Sequence, residues 1–312
     1  MSDDAEKKAR EELLNQLING TYDEKRQAAY VFGELEHDPD FDPTPVLYRT
    51  LVESDDEGVA SEAALALAKM REVGLPWIIR GLGSEIYSVR YDCAHALRIF
   101  GGPWAIEAIP WLRDIIRNSS PELRIEAVGA IGSIGPLAVE TVPEIVPEIV
   151  RYIGAEFETA AACLFALRNF GALAKPAIPA LMQLIQSTDD DFRRSMALRT
   201  LADIELSPNK NLIDRLLAIR NYSSDSGILE SLVDILANYC HRQPDRARQL
   251  DAELGTLGDS LNIALAIALK TTGSLSNKAD SFIEQALRDS DPNRQELVRA
   301  LLSYVSYGDP ST

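Results

Sequence analysis

Residues 89–101, VRYDCAHALRIFG, and residues 123–135, LRIEAVGAIGSIG, align without a gap at a shift of 34 residues. Counted from the arginine of each stretch, small or apolar residues return three, four and seven positions later. That spacing indicates one face of an α-helix. A repeated short helix with one apolar face is typical of stacked units, because each copy can bury that face only against its neighbours.

The same helical face recurs along the whole chain at intervals of 30–36 residues. Nine positions are equivalent to Arg90, counting Arg90 itself: Arg26, Ala60, Arg90, Arg124, Ala160, Arg193, Leu229, Leu261 and Arg294. The unit around Leu261 departs most from the pattern, since it lacks both the arginine and the glycine that should follow. The sequence therefore predicts nine units.

A ladder of five prolines marks another helix, which comes before the repeated one in its unit. Pro43, Pro76, Pro110, Pro143 and Pro179 each precede an apolar stretch, at spacings of 33, 34, 33 and 36 residues. Proline is tolerated in a first helical turn, where its missing N–H has no partner. These prolines are therefore predicted to begin the first helix of their units.

Polar residues and glycines are predicted to mark the two ends of the second helices. Ser120 and Asp291 precede a proline in the turn between the two helices, where they are expected to cap the second helix. Gly101, Gly135 and Gly171 follow second helices, where a left-handed residue is expected. No stretch of the sequence alternates with period two over a useful length, so strands are not expected.

The predicted fold is all-α, a right-handed alpha-alpha superhelix of about nine helical hairpins in a single domain over residues 1–312. The hairpins are expected at roughly 10–38, 43–72, 75–101, 104–135, 138–171, 174–205, 209–240, 244–272 and 277–306.

The repeat resembles a known family. The motif consists of Asp or Ser, then Val-Arg or Leu-Arg, then Ala-x-x-Leu, then Gly. It is followed by Ala-Ile-Pro-x-Leu, as in AIPWL at 108–112 and AIPAL at 177–181. Together they resemble the short HEAT-like repeat typified by phycobilisome lyase subunits, over about residues 13–304. The resemblance implies a HEAT-like solenoid whose second helices line a concave side. It also implies an alternative function, as a subunit of a phycobilin lyase or a phycobilisome-associated factor working with a second chain.

Charge and composition exclude several classes of protein. The chain has 31 basic and 48 acidic residues and a net charge of −17, so a nucleic-acid duplex or an anionic membrane would repel it. No apolar run approaches the roughly 20 residues that span a bilayer. We expect a cytoplasmic protein that binds neither nucleic acid nor membrane.

The sequence favours a protein without catalytic activity, metal or cofactor. Cys93, Cys163 and Cys240 lie about 70 residues apart with no CxxC pair, and we expect all three to be buried and reduced. The three histidines are equally scattered. No His-Glu dipeptide, GxxxxGK[ST], GxSxG or HExxH motif is present.

We therefore expect a scaffold or adaptor that binds another protein or peptide, in a possible hetero-complex. Interfaces draw their energy from a few large aromatic and Arg side chains near the centre. On the second helices of the third to sixth units, the candidates are Tyr91, His95, Arg98, Phe165, Arg168 and Arg199. The alternative for Tyr91 and Phe165 is packing between units.

Arginines and glycines on the same helices have structural explanations too. Arg90, Arg124 and Arg193 share one repeat position, which favours hydrogen bonds to carboxylates and turn carbonyls of adjoining units. Arg194, predicted to point outward, would join Arg98, Arg168 and Arg199 in a basic strip. The glycines at 129 and 132 are explained by close helix packing or by a flat spot for a partner's backbone.

Acidic residues offer a second possible binding site. Residues 1–79 carry a net charge of −10, whereas residues 80–124 carry +1. An acidic end is usually a solvated cap of a repeat array. If it is instead the binding site, a basic partner would contact Asp38, Asp40, Asp55, Asp56 and Glu57.

Overall fold

The computed structural model describes residues 3–36, 38–135, 141–219, 222–272 and 277–307. These residues form 18 α-helices and two 3-10 helices. Their only β pairing is one isolated bridge, between Asp38 and Phe41. The all-α prediction is confirmed. His37 of the first predicted hairpin, residues 138–140 of the fifth and residues 220–221 of the seventh lie outside the described residues.

The chain divides into two compact units, Met1–Phe170 and Gly171–Thr312. A single solenoid over residues 1–312 stays a prediction. Helices of the first unit are α1 (Asp3–Asn19), α2 (Tyr22–Glu34), α3 (Thr44–Glu53), α4 (Glu57–Lys69), α5 (Leu75–Leu82), α6 (Tyr87–Phe100), α7 (Ile109–Asn118), α8 (Pro121–Ile134), α9 (Val142–Val150) and α10 (Phe157–Phe170).

Helices of the second unit are α11 (Ile178–Ser187), α12 (Asp191–Ile204), α13 (Lys210–Leu217), α14 (Ser226–Arg242), α15 (Pro244–Glu253), α16 (Asp259–Thr271), α17 (Asn277–Leu287) and α18 (Pro292–Tyr307). In chain order the 18 helices make nine successive pairs, in agreement with the predicted repeat.

Each helix of the first unit packs in one of two layers. The second helices of the hairpins, α2, α4, α6, α8 and α10, pack side by side, and so do the first helices, α1, α3, α5, α7 and α9. Alanines such as Ala63, Ala64 and Ala94 are fully buried between the layers. Their small side chains let adjacent helices approach closely, and the apolar surface they cover drives the stacking.

The prolines begin the first helices as predicted. Pro43 directly precedes α3, and the other four are the second residues of α5, α7, α9 and α11. Two 3-10 helices that the periodicity did not indicate, Pro103–Ala108 and Gly171–Ala177, lead into α7 and α11.

The predictions for the residues at the ends of the second helices are only partly correct. Asp291 caps α18 by accepting the N–H of Asn293 at 2.9 Å, whereas Ser120 takes the N-cap position of α8 without a side-chain cap bond. Gly135 (φ 77°) and Gly171 (φ 52°) are left-handed. The prediction for Gly101 is wrong, because its φ is −59°. A side chain there would clash instead, since a Cβ would lie 2.1 Å from the carbonyl oxygen of Leu97.

All three cysteines are buried free thiols, as predicted. Burial raises the pKa of Cys93, and raises the pKa of Cys163 and of Cys240 to about 12 in each case. A thiol held protonated in this way is a poor nucleophile.

In the sixth repeat, the hairpin of α11 and α12, the helical pattern is shifted by one residue from the prediction. Arg124 donates from Nε to the carbonyl of Ile116 at 2.9 Å, within its own hairpin. In α12 the equivalent donor is Arg194, 8% exposed, whose Nε reaches the carbonyl of Ile185 at 3.2 Å. Arg194 therefore does not point outward, and its predicted place in a basic strip is wrong. The acceptors, which include the carboxylate of Asp191, belong to the same hairpin and not to adjoining repeats.

Candidate protein-binding surface

Three rings stack along the exposed side of α6. The ring centroids of Tyr87 and Tyr91 are 6.3 Å apart, and those of Tyr91 and His95 are 6.1 Å apart with planes 8° from parallel. One helical turn separates successive members, so the helix itself sets the spacing. Tyr87 is 46% exposed, whereas Tyr91 and His95 are half-buried. The stack is an aromatic ridge that is exposed at Tyr87 and half-buried at Tyr91 and His95.

A buried carboxylate on α8 connects this ridge to the next repeat. Glu126 is 4% exposed. Its Oε2 lies 3.0 Å from Nδ1 of His95, and its Oε1 accepts a hydrogen bond from Nη1 of Arg98 at 2.8 Å. Both oxygens are therefore satisfied by side chains of α6. The Glu126 cluster, made of His95, Arg98 and Glu126, orients two of the predicted binding residues.

Glycines of α8 let this arrangement form. A Cβ on Gly129 would lie 2.6 Å from Cδ of Arg98, so the arginine stem crosses the helix where the side chain is missing. A Cβ on Gly132 would lie 3.0 Å from Cα of Ala166 on α10. Close helix packing therefore explains Gly132, and room for Arg98 explains Gly129.

The neighbouring helix α10 presents the next predicted residues. Phe165 is 48% exposed, and Arg168 on the following turn is half-buried. Asn169 donates from Nδ2 to the carbonyl of Gly132 at 3.1 Å, which fixes this face of α10 against α8. Packing between units does not cover Phe165. Five of the six predicted residues thus lie on α6 and α10, on either side of α8.

Arg199, the sixth predicted residue, is exposed on α12 in the second unit. With Arg194 as the repeat anchor, Arg199 takes the position that His95 and Phe165 hold in their helices. In the same unit, Tyr304 donates to Asp234 at 2.7 Å. Burial raises the pKa of Asp234, and nearby Arg199 opposes the change.

Asp92 is a partly buried carboxylate beside the aromatic ridge. Burial raises its pKa to about 6, an effect that the nearby His95 and a hydrogen bond from Ser61 reduce. The sequence showed Asp92 and Glu126 only as outward positions of their helices. Their burial depends on the neighbouring helices, so periodicity alone could not find it.

Several residues of the acidic end have structural roles. Asp38 pairs with Arg10, and Asp55 accepts a hydrogen bond from the Tyr22 hydroxyl at 3.0 Å. Asp56 caps α4 by accepting the N–H of Val59 at 2.9 Å. Asp40 and Glu57 are exposed. Only part of this acidic set is therefore available to a basic partner.

An open cleft of about 350 Å³ lies in the second unit and is lined by none of the six predicted binding residues. Its lining includes Asp259 and Arg294, which pair with each other at 2.6 Å, and Arg294 also pairs with Asp289.

Across the described ranges, no helix combines the length and apolarity that crossing a membrane requires.

Comparison with known proteins identifies the repeat. Residues 109–202 match the family of HEAT repeats. No curated protein sequence matches the chain. Among solved structures, a mutant of Kap121p superposes with a TM-score of 0.61 at 14% identity, covering 95% of this chain and 37% of that one. The karyopherin Kap121p bound to the extreme C-terminus of the protein phosphatase Cdc14p gives 0.60, with the same identity and coverage.

The chain thus spans little more than a third of the length of these Kap121p structures, and at this identity the likeness concerns the fold. The repeat pattern, the two helical layers and the family match agree with one another. The protein is an all-α solenoid, and its residues 109–202 match HEAT repeats.

Proposed function

We propose that this protein is a non-enzymatic scaffold or adaptor that binds another protein or peptide through the second helices of its first unit. The observation that carries the proposal is the aromatic ridge of α6, held beside the Glu126 cluster and next to the exposed Phe165. Aromatic and Arg side chains on a rigid support supply most of the energy in protein interfaces.

The fixed positions of these side chains favour binding. Arg98 and His95 are held by a nearly buried carboxylate, and Asn169 joins α10 to α8, so a partner meets a preorganised surface. Such a surface loses less side-chain entropy on association. The fold is compatible with peptide binding, since Kap121p of similar fold has been solved bound to the C-terminus of Cdc14p and to Pho4p.

Affinity purification from the native host, followed by mass spectrometry and a binding titration, tests the proposal. Tyr91→Ala, Phe165→Ala and Arg168→Ala should weaken binding of the recovered partner, and the strongest variant should cost about 2 kcal/mol or more. Phe192→Ala is the matched control, because Phe192 is 60% exposed on α12 of the second unit. Circular dichroism checks that each variant remains folded.

Charge reversal distinguishes the acidic end from this surface. Asp40→Lys and Glu57→Lys change exposed groups, whereas Asp38 and Asp56 also support the fold. If these two reversals abolish binding while the three alanine variants bind normally, the partner contacts the acidic end and the proposed surface is wrong.

The alternative function, a phycobilin lyase subunit or phycobilisome-associated factor, rests on the sequence resemblance alone. Mixing the protein with a bilin and an apoprotein tests it directly. A colour change that depends on this chain would establish the alternative and contradict a purely non-enzymatic role.

A further inference from the structure

The first-helix layer of the first unit carries an aromatic surface that the repeat pattern did not indicate. Tyr48 on α3 and Trp77 on α5 have ring centroids 5.1 Å apart. Trp111 on α7 is 45% exposed, and a Cβ on Gly83 would lie 2.8 Å from its ring. The glycine therefore leaves room for the indole against the end of α5. Three adjacent helices of the first-helix layer thus carry these rings.

An arginine lies over these rings. The guanidinium carbon of Arg80 is 4.9 Å from the ring centroid of Tyr48 and 5.7 Å from that of Trp77. Arg80 is exposed and makes no ion pair with any residue that the structure describes. By contrast, Arg113 on α7 pairs with Glu144 and Glu148, each at 2.7 Å. The planar group of Arg80 is held by stacking while its N–H donors face solvent.

We infer that Tyr48, Trp77, Arg80 and Trp111 form a second protein-docking surface, the first-helix surface, which binds a partner segment carrying a carboxylate side chain beside apolar residues. A stacked guanidinium is preorganised for a carboxylate, which it binds with two parallel hydrogen bonds. The neighbouring indoles offer apolar contact area beside that charge.

Charge complementarity supports an acidic segment as the occupant. The three helices that carry this surface, α3, α5 and α7, contain four arginines against two acidic residues in a chain of net charge −17, so an acidic segment meets less repulsion here than elsewhere on the protein. The same overall charge disfavours a nucleic acid. This surface lies on the opposite helical layer from the proposed binding residues, so the two proposals can fail separately.

A selection from a displayed library of random peptides, using the full chain as bait, tests the inference. Selected peptides should be enriched in Asp or Glu next to apolar residues. Trp77, Trp104 and Trp111 are the three tryptophans of the chain and lie within or next to this layer. Intrinsic fluorescence therefore reports binding here, and the best peptide should change it on titration.

Variants then assign the site. Arg80→Met keeps the apolar stem and should weaken the best peptide at least about tenfold, while Arg80→Lys should retain part of the affinity because it keeps the charge. Arg49→Met is the matched control, since Arg49 lies on α3 but lines a different cleft with Lys25 and Glu53. Phe165→Ala on the other layer should also leave the affinity unchanged.

Three outcomes would overturn the inference. The first is a selection that yields basic or uncharged peptides, or none binding more tightly than about 100 µM. The second is full affinity in folded Arg80→Met, as checked by circular dichroism. The third is self-association in sedimentation experiments that Arg80→Met abolishes, because the surface would then bind a second copy of this acidic chain.

Discussion

Arg98 on α6 donates to Glu126 on α8 at 2.8 Å, and the carboxylate that it contacts is 4% exposed. The hydrogen bond therefore joins two successive repeats through a nearly buried charge. An interaction of this kind positions Arg98 and His95 together, because both oxygens of the carboxylate are engaged.

Glu126→Gln tests this contact. The amide has nearly the same shape but cannot accept from both partners, and we expect the free energy of unfolding to fall by about 1–2 kcal/mol. The cost is moderate because Arg98 can turn toward water once it is released. Urea denaturation followed by circular dichroism measures it. Unchanged stability would show that the pair contributes nothing net.

Asp92 should make stability depend on pH. Burial raises its pKa from 3.8 to about 6, so the folded state holds the proton more tightly than the unfolded chain. The stabilisation that this bound proton gives the folded state is complete below about pH 4 and is lost as the pH rises through 6. Asp92→Asn should therefore be more stable than the wild type at pH 7, by about 1 kcal/mol after discounting for partial exposure.

The difference between Asp92→Asn and the wild type should largely disappear at about pH 3, where Asp92 is mostly protonated in both states. Glu11→Gln, at an exposed position of α1, is the control and should show no such trend. A difference of equal size at about pH 3 and about pH 7 would contradict the assignment.

Arg194 should matter for stability far more than Arg199. It donates to the carbonyls of Ile185 and Thr188 and to Asp191, and it is 8% exposed. We expect Arg194→Met to lose about 2 kcal/mol, because buried carbonyls lose their donors. Arg199→Met, on the exposed side of the same helix, should change stability by less than about 0.5 kcal/mol. Thermal unfolding of both variants checks the corrected register.

Gly132→Ala should destabilise the contact between α8 and α10. The added methyl would lie 3.0 Å from Cα of Ala166, which is backbone and cannot rotate away. Overpacking costs about 1–3 kcal/mol, and the helix preference of alanine returns about 1. We expect a net loss of about 1 kcal/mol in urea denaturation. Gly154→Ala, with no atom within 4 Å of its Cβ, should be nearly neutral.

The three cysteines should react with a thiol reagent only when the protein unfolds. Cys93, Cys163 and Cys240 are buried, and burial raises the pKa of each thiol. The thiolate that the reagent needs is therefore scarce in the folded state. Labelling in buffer should be slow, and it should become fast and complete in denaturant. Rapid native labelling of any one cysteine would show that its site opens.

Local pattern was enough to predict the repeat. Helical periodicity at residues 89–101 and 123–135 and the proline ladder predicted paired helices, because both signals come from steric and hydrophobic preferences within one unit. The burial of the cysteines followed for the same reason, since Cys93 and Cys163 hold the same inward position of their helices.

Only tertiary structure decided which outward positions face water and which meet a neighbour. Glu126 has an outward position in its own helix, yet α6 covers it with Arg98 and His95. Arg194 is buried and Arg199 is exposed because contacts with the preceding turn set the register of α12. A register assigned from the sequence period alone does not include those contacts and can be wrong by one residue. Arg80 meets Tyr48 only because α3 and α5 lie side by side. Packing between repeats determines these contacts, and a pattern within one repeat does not contain them.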